Sequence, residues 1–173
     1  ALVTLALALA AHPFWWPIAA AAPLVAVELW FGARSRSRRL VPELAGAIGV
    51  SGVAAAIVLA GSGGERLALG AWLVVAARAT TAIPHVRAQV QRLHGRAAPA
   101  GPLIAADAAA LTLSALAVAI EPAVAAGAAA IVALVALGWA LGRSLAPAKV
   151  LGLRQTFFGL AVVIATAAGF HLT

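Results

Sequence analysis

An all-α, polytopic transmembrane helical bundle is the fold class this sequence predicts, with about seven helices, the first truncated, joined by short loops. Three observations lead there. The 173 residues are 64% hydrophobic and only 10% charged, far from the composition of a soluble domain. The apolar runs reach the roughly 20 residues that a helix needs to cross the hydrocarbon core. They are continuously apolar rather than alternating, and about twice the length of a barrel strand. Nine of the twelve Lys and Arg residues fall in three alternate loops. Residues 34–40 carry four arginines, residues 87–102 carry Arg87, Arg92 and Arg96, and residues 143–149 carry Arg143 and Lys149. The loops of opposite parity carry only Arg66. This is the positive-inside pattern, and it predicts cytoplasmic basic loops in a bacterial inner membrane.

Each element follows in order. Residues 1–11 are wholly apolar but too short to span, and no charged leader precedes them, so they read as the end of a helix rather than a signal peptide. The absence of Met at position 1 predicts a natural start further upstream. Full spans follow at 16–33, 41–61, 67–86, 103–120, 123–142 and 150–170. Pro42 falls in a first helical turn, where a missing N–H costs little. Glu121-Pro122 predicts a tight turn at the outer end. The C-terminal residues 171–173 are expected outside. Trp15, Trp16, Trp30, Trp72 and Trp139 lie near span ends, as an aromatic belt requires. No low-complexity linker divides the chain, so one domain covers residues 1–173.

Composition removes several function classes. Without Cys there is no disulfide, thiolate metal site or cysteine nucleophile, and without Tyr one common acid-base group is gone. The net charge of +7 is explained by membrane topology rather than by nucleic-acid binding. The basic loops suit contact with anionic head groups, so membrane lipids are expected partners and nucleic acid is not. No Ser/His/Asp set, metal-ligand cluster or phosphate-cradling glycine loop occurs. Neither cofactor nor metal is expected. His12 and His171 share the outer surface, yet their terminal positions suit solvated side chains better than haem ligands.

Four ionisable residues fall inside the spans: Glu28, Arg78, Asp107 and Arg154. Each costs about 2.5–3.5 kcal/mol at the bilayer centre, so each should face protein or water. From the expected span boundaries, Glu28, Asp107 and Arg154 lie roughly 7–9 Å, and Arg78 about 12 Å, inside the basic end. The sequence therefore predicts a polar cluster in the inner half. Arg78, Thr81 and His85 share one helical face by their spacing of three and four; Asp107 and Ser114 share another. One reading is a pocket holding an anionic head group on Arg78 and Arg154. The other is an arginine–carboxylate pair, Arg78 with Asp107 or Glu28, that fixes helix register. Gly46, Gly49 and Gly52, and the pair Gly138 and Gly142, are candidate packing faces.

Two blocks carry a family resemblance. RATTAIPHVRAQVQRLHGR (78–96) and PAKVLGLRQTFFG (147–159) resemble the YwiC-like family of bacterial membrane proteins. The positions matching its pattern are Arg78, Pro84, Arg87, Arg92, Lys149, Gly152, Arg154 and Gly159. The family's N-terminal H-G-A-W-type signature does not occur. The layout is also distantly similar to UbiA-type prenyltransferases, but their aspartate-rich loops are absent, so that chemistry is not implied. The resulting expectation is a non-catalytic multi-spanning protein, an accessory subunit of a larger respiratory or other energy-converting complex. A UbiA-like enzyme or binder of a lipid phosphate in a cytoplasm-facing pocket and a small-solute transporter are the alternatives. The latter is disfavoured because no inverted repeat is visible.

Overall fold

A computed structural model describes residues 13–34, 39–142 and 146–170. These residues form six membrane-length helices: α1 (Trp15–Ala33), α2 (Leu40–Ala60), α3 (Glu65–Leu93), α4 (Ala100–Ile120), α5 (Ala125–Leu141) and α6 (Ala148–Phe170). A single 3₁₀ turn, Pro122–Val124, joins α4 to α5. The described residues contain no strand. The helix expected within residues 1–11, and His12 and His171, lie outside the described residues.

α3 is the hub, packing against α2, α4, α5 and α6, whereas α1 packs chiefly along α2. The central core joins Val74 and Ala77 of α3, Ala110 and Ala117 of α4, Ile131 of α5 and Val162 of α6. Small side chains let these backbones approach closely, which lipid-embedded helices need in place of a hydrophobic driving force. The α2 glycines serve that purpose as their spacing suggests. Gly49 meets Val25, Leu24 and Ala21 of α1, and Gly52 accepts the indole of Trp72 from α3. That indole donates to the Ile48 carbonyl at 2.9 Å and lies 6.4 Å from the Trp16 ring. Trp72 and Trp16 are thus packing residues. Trp15 and Trp30 remain largely exposed, as belt residues are.

The helix ends have local causes. α3 closes in a Schellman turn, with Gly95 at φ +70°, Arg96 N donating to Gln91 O at 2.9 Å and Gly95 N to Arg92 O at 3.0 Å. α2 closes the same way, through Gly63 N on Val58 O and Ser62 N on Leu59 O, with Ser62 taking the left-handed position. Arg66 caps the far end of α4 by donating through Nε and Nη2 to the Ile120 carbonyl. The Glu121 side chain accepts from Ala123 N in the tight turn expected there.

One boundary corrects the sequence reading. The third span does not stop at residue 86 but runs 29 residues, through Pro84 to Leu93. Proline removes one N–H from the ladder, yet the chain beyond it is rich in good helix formers and is held from the side. Arg87 Nη1 lies 2.7 Å from Glu43 Oε2 of α2, and Arg92 Nη1 donates to Gly142 O of α5 at 2.8 Å. Arg87 and Arg92 are therefore helical rather than loop residues. Arg78 stands near the middle of α3 rather than toward one end. α4 likewise begins at Ala100, three residues earlier than expected.

Candidate functional site

The polar side chains of the bundle gather where α3 meets α4, α5 and α6. Asp107 on α4, 5% exposed, is the centre. It accepts from the Thr81 hydroxyl at 2.5 Å and from Trp139 Nε1 at 2.8 Å. His85 Nε2 lies 3.0 Å from Oδ2 and 3.2 Å from Oδ1. The Trp139 ring also meets the imidazole edge-on, with centroids 5.8 Å apart. One carboxylate thus ties three helices together. A buried carboxylate requires several donors of this kind.

The arginines are engaged differently. Arg78 donates through Nη2 to Gln155 of α6, at 2.5 Å to Oε1 and 3.3 Å to the backbone carbonyl. Arg154 donates through Nη2 to Gln89 Oε1 of α3 at 2.8 Å. Neither Arg78 nor Arg154 forms an ion pair with a described carboxylate. The expected pairing of Arg78 with Asp107 or Glu28 is absent, and the ion pairs among the described residues are His85–Asp107 and Arg87–Glu43. The Nε atoms of both Arg78 and Arg154 are buried without an acceptor among the described residues.

Glu28 does not join the cluster. It shares the expected depth, but on α1 its carboxylate lies in the notch over Gly46 of α2. It is half-buried and pairs with no described residue. Ser114 shares the buried face with Asp107 but turns back to the Ala110 carbonyl. Lys149 is exposed in the first turn of α6, apart from the cluster.

Two spaces that share lining residues adjoin the cluster. A slot of about 20 Å³ is lined by Arg78, Thr81, His85, Gln89, Arg154 and Gln155, with Leu134, Leu137 and Phe158 as apolar walls. It has room for about one ordered water. A groove of about 420 Å³ shares His85, Gln89 and Gly138 with the slot and reaches Arg92, Leu103, Trp139 and Gly142. These lie at the ends of α3, α4 and α5 nearest the basic loops, so the groove is the mouth and the slot its floor. Gly138 makes the passage possible, because a Cβ there would stand 3.2 Å from the imidazole.

Sequence reasoning found Arg78, Thr81, His85, Asp107 and Arg154. It missed Gln89, Gln155 and the polar role of Trp139, and it did not place Arg92 in the site. The available signal was the series 78, 81, 85, 89, 92, a polar stripe at steps of three and four running past the expected helix end. Among the described residues no group of His, Cys, Asp and Glu could hold a metal ion.

Six apolar helices around a buried polar cluster define a multi-spanning membrane protein with a cationic cleft at its basic end. Residues 1–58 match the model of the YwiC-like protein family, a stretch that includes α1 and nearly all of α2. The similarity lies upstream of both blocks on which the sequence resemblance rests, in the region where the H-G-A-W-type signature does not occur. No curated protein matches the chain, and no solved structure does either. The UbiA-type layout therefore gains no support.

Proposed function

We propose that this is a lipid-binding protein of the bacterial inner membrane, with its basic loops in the cytoplasm and its C-terminus outside, that holds an anionic phosphate head group in the cleft between α3, α5 and α6. The observation that carries this reading is the pair of span-embedded arginines, Arg78 and Arg154, bonded to neutral glutamines and each keeping a buried Nε without an acceptor among the described residues. Cationic donors inside a membrane normally find a carboxylate or line a site. The groove, about 420 Å³ and lined by Arg92, Leu103 and Trp139, has the room and mixed lining that an amphipathic ligand needs, and the slot beside it brings Arg78 and Arg154 close.

Native mass spectrometry of gently solubilised protein tests this. One phosphatidic acid should be retained in preference to phosphatidylcholine, and inorganic phosphate should not displace it if the lipid is the source of the phosphate. The double variant Arg78→Gln/Arg154→Gln should weaken retention roughly 10- to 100-fold, the worth of one or two charge-assisted hydrogen bonds. Equal retention by the variant would sink the reading. For sidedness, Ala97→Cys in the α3–α4 loop should resist an impermeant thiol reagent in intact cells, whereas Gly64→Cys at the opposite end should react. The background is clean because the chain has no native Cys.

A second reading, the accessory subunit, is favoured by Glu28. A half-buried carboxylate without a cation among the described residues, at the edge of the bundle, suits a neighbouring span that brings a basic residue to that depth. The same spectra distinguish it, since a protein partner lost in Glu28→Gln would be seen directly.

A further inference from the structure

The His85–Asp107 contact has a direction. Asp107 already accepts from Thr81 and Trp139, and the imidazole presents Nε2 to both its oxygens. In the neutral ring that places the hydrogen on Nε2 and leaves the lone pair on Nδ1. Nδ1 makes no hydrogen bond with any described residue, while the His85 side chain is nine-tenths buried and borders both the slot and the groove. A Cβ at position 138 would stand 3.3 Å from Nδ1, and glycine there adds no side chain against that edge.

The charges around it are few. Arg78 and Arg92 come from its own helix, Asp107 from α4 and Arg154 from α6. α5 contributes no titratable side chain, the Glu43 carboxylate of α2 is engaged by Arg87, and Lys149 is exposed. The cleft thus holds three arginines and one carboxylate. A bound phosphodiester adds a second negative charge to the cleft, beside the Nδ1 edge.

We propose that His85 is the proton acceptor of the cleft, so that an anionic head group and a proton are taken up together at one site. The proton comes from solvent: an O–H bond of hydronium or buffer acid breaks, and an N–H bond forms at Nδ1. Asp107 acts as a positioning residue that fixes the ring and stabilises the imidazolium. This inference rests on the lipid-binding reading above.

Calorimetry separates the two. The probe is short-chain phosphatidylglycerol, whose phosphodiester does not titrate near neutrality, added to detergent-solubilised protein in two buffers of equal pH and different ionisation enthalpy. Wild-type protein should take up roughly half to one proton per lipid bound. His85→Gln, which can still donate to Asp107, should take up no proton at whatever lipid affinity it retains. Nitrogen-15 spectra of histidine-labelled wild-type protein should show one ring converting to imidazolium as lipid is added, which keeps the test independent of the variant's folding. Lipid binding without proton uptake, or uptake that persists in His85→Gln, overturns this inference and leaves lipid binding intact. No binding of phosphatidylglycerol or phosphatidic acid overturns the lipid-binding reading itself, and the inference with it.

Discussion

Asp107→Ala should be the most damaging single substitution in the bundle. It removes the acceptor for Thr81, His85 and Trp139 at once. A buried donor left unsatisfied costs about 1–3 kcal/mol, so the loss should reach about 3–5 kcal/mol even after partial relaxation. For a chain of this size that lowers the melting temperature by roughly 10 °C or more. Thermal unfolding in detergent, followed by monodispersity on size exclusion, measures it. Asp107→Asn should fall between, since the amide keeps one acceptor oxygen but turns an NH₂ toward one of the three donors. A melting temperature for Asp107→Ala within about 2 °C of wild type would show that the carboxylate does not hold the helices together.

Gly169→Ala should come next. A Cβ on Gly169 would stand 2.1 Å from the Ala123 carbonyl oxygen, a backbone atom in the turn between α4 and α5. Backbone cannot swing aside, so α6 must shift away from the turn, and overpacking of this kind costs typically about 1–3 kcal/mol. Gly46→Ala is the control. Its Cβ would overlap the Glu28 carboxylate, which is the end of a flexible side chain and can turn away. Unfolding curves should therefore show a clear loss for Gly169→Ala and a small one for Gly46→Ala. The reverse order would mean that Glu28 is held more firmly than the α6 backbone.

The contrast between Glu28 and Asp107 shows what the sequence could carry. Residue number along an apolar run gives depth, and depth singled out both carboxylates together with Arg78 and Arg154. It does not give the direction a side chain faces around the bundle, because that depends on which helices are neighbours. α1 lies at the edge against α2, so Glu28 never meets the arginines, whereas α4 packs on α3 and delivers Asp107 to His85. Partner choice was hidden for a second reason: Gln89 and Gln155 are neutral and do not stand out in a hydropathy reading. Gln89 was further concealed by taking Pro84 and Arg87 as the end of a span, when side contacts carry the helix through both. Trp139 sat where a belt residue belongs, and only the fold turns its N–H toward Asp107. The spans and the close-packing glycines of α2 were legible because each depends on local composition or spacing.

The central place of α3 also bears on biosynthesis. Spans leave the ribosome in order, and α1 with α2 can close on the Gly46–Gly49 notches before any later helix exists. α3 cannot complete its contacts so early. When it emerges, Arg78 and His85 have no partners. Asp107 arrives with the next span, Trp139 with the one after, and Gln155 and Arg154 only with the last. Until then the polar stripe must be shielded from acyl chains, at a standing cost of about 2.5–3.5 kcal/mol for Arg78 alone at mid-bilayer. The insertion machinery therefore has reason to keep α3 until α6 is made, and a nascent chain cut off after α3 is the form most exposed to quality control.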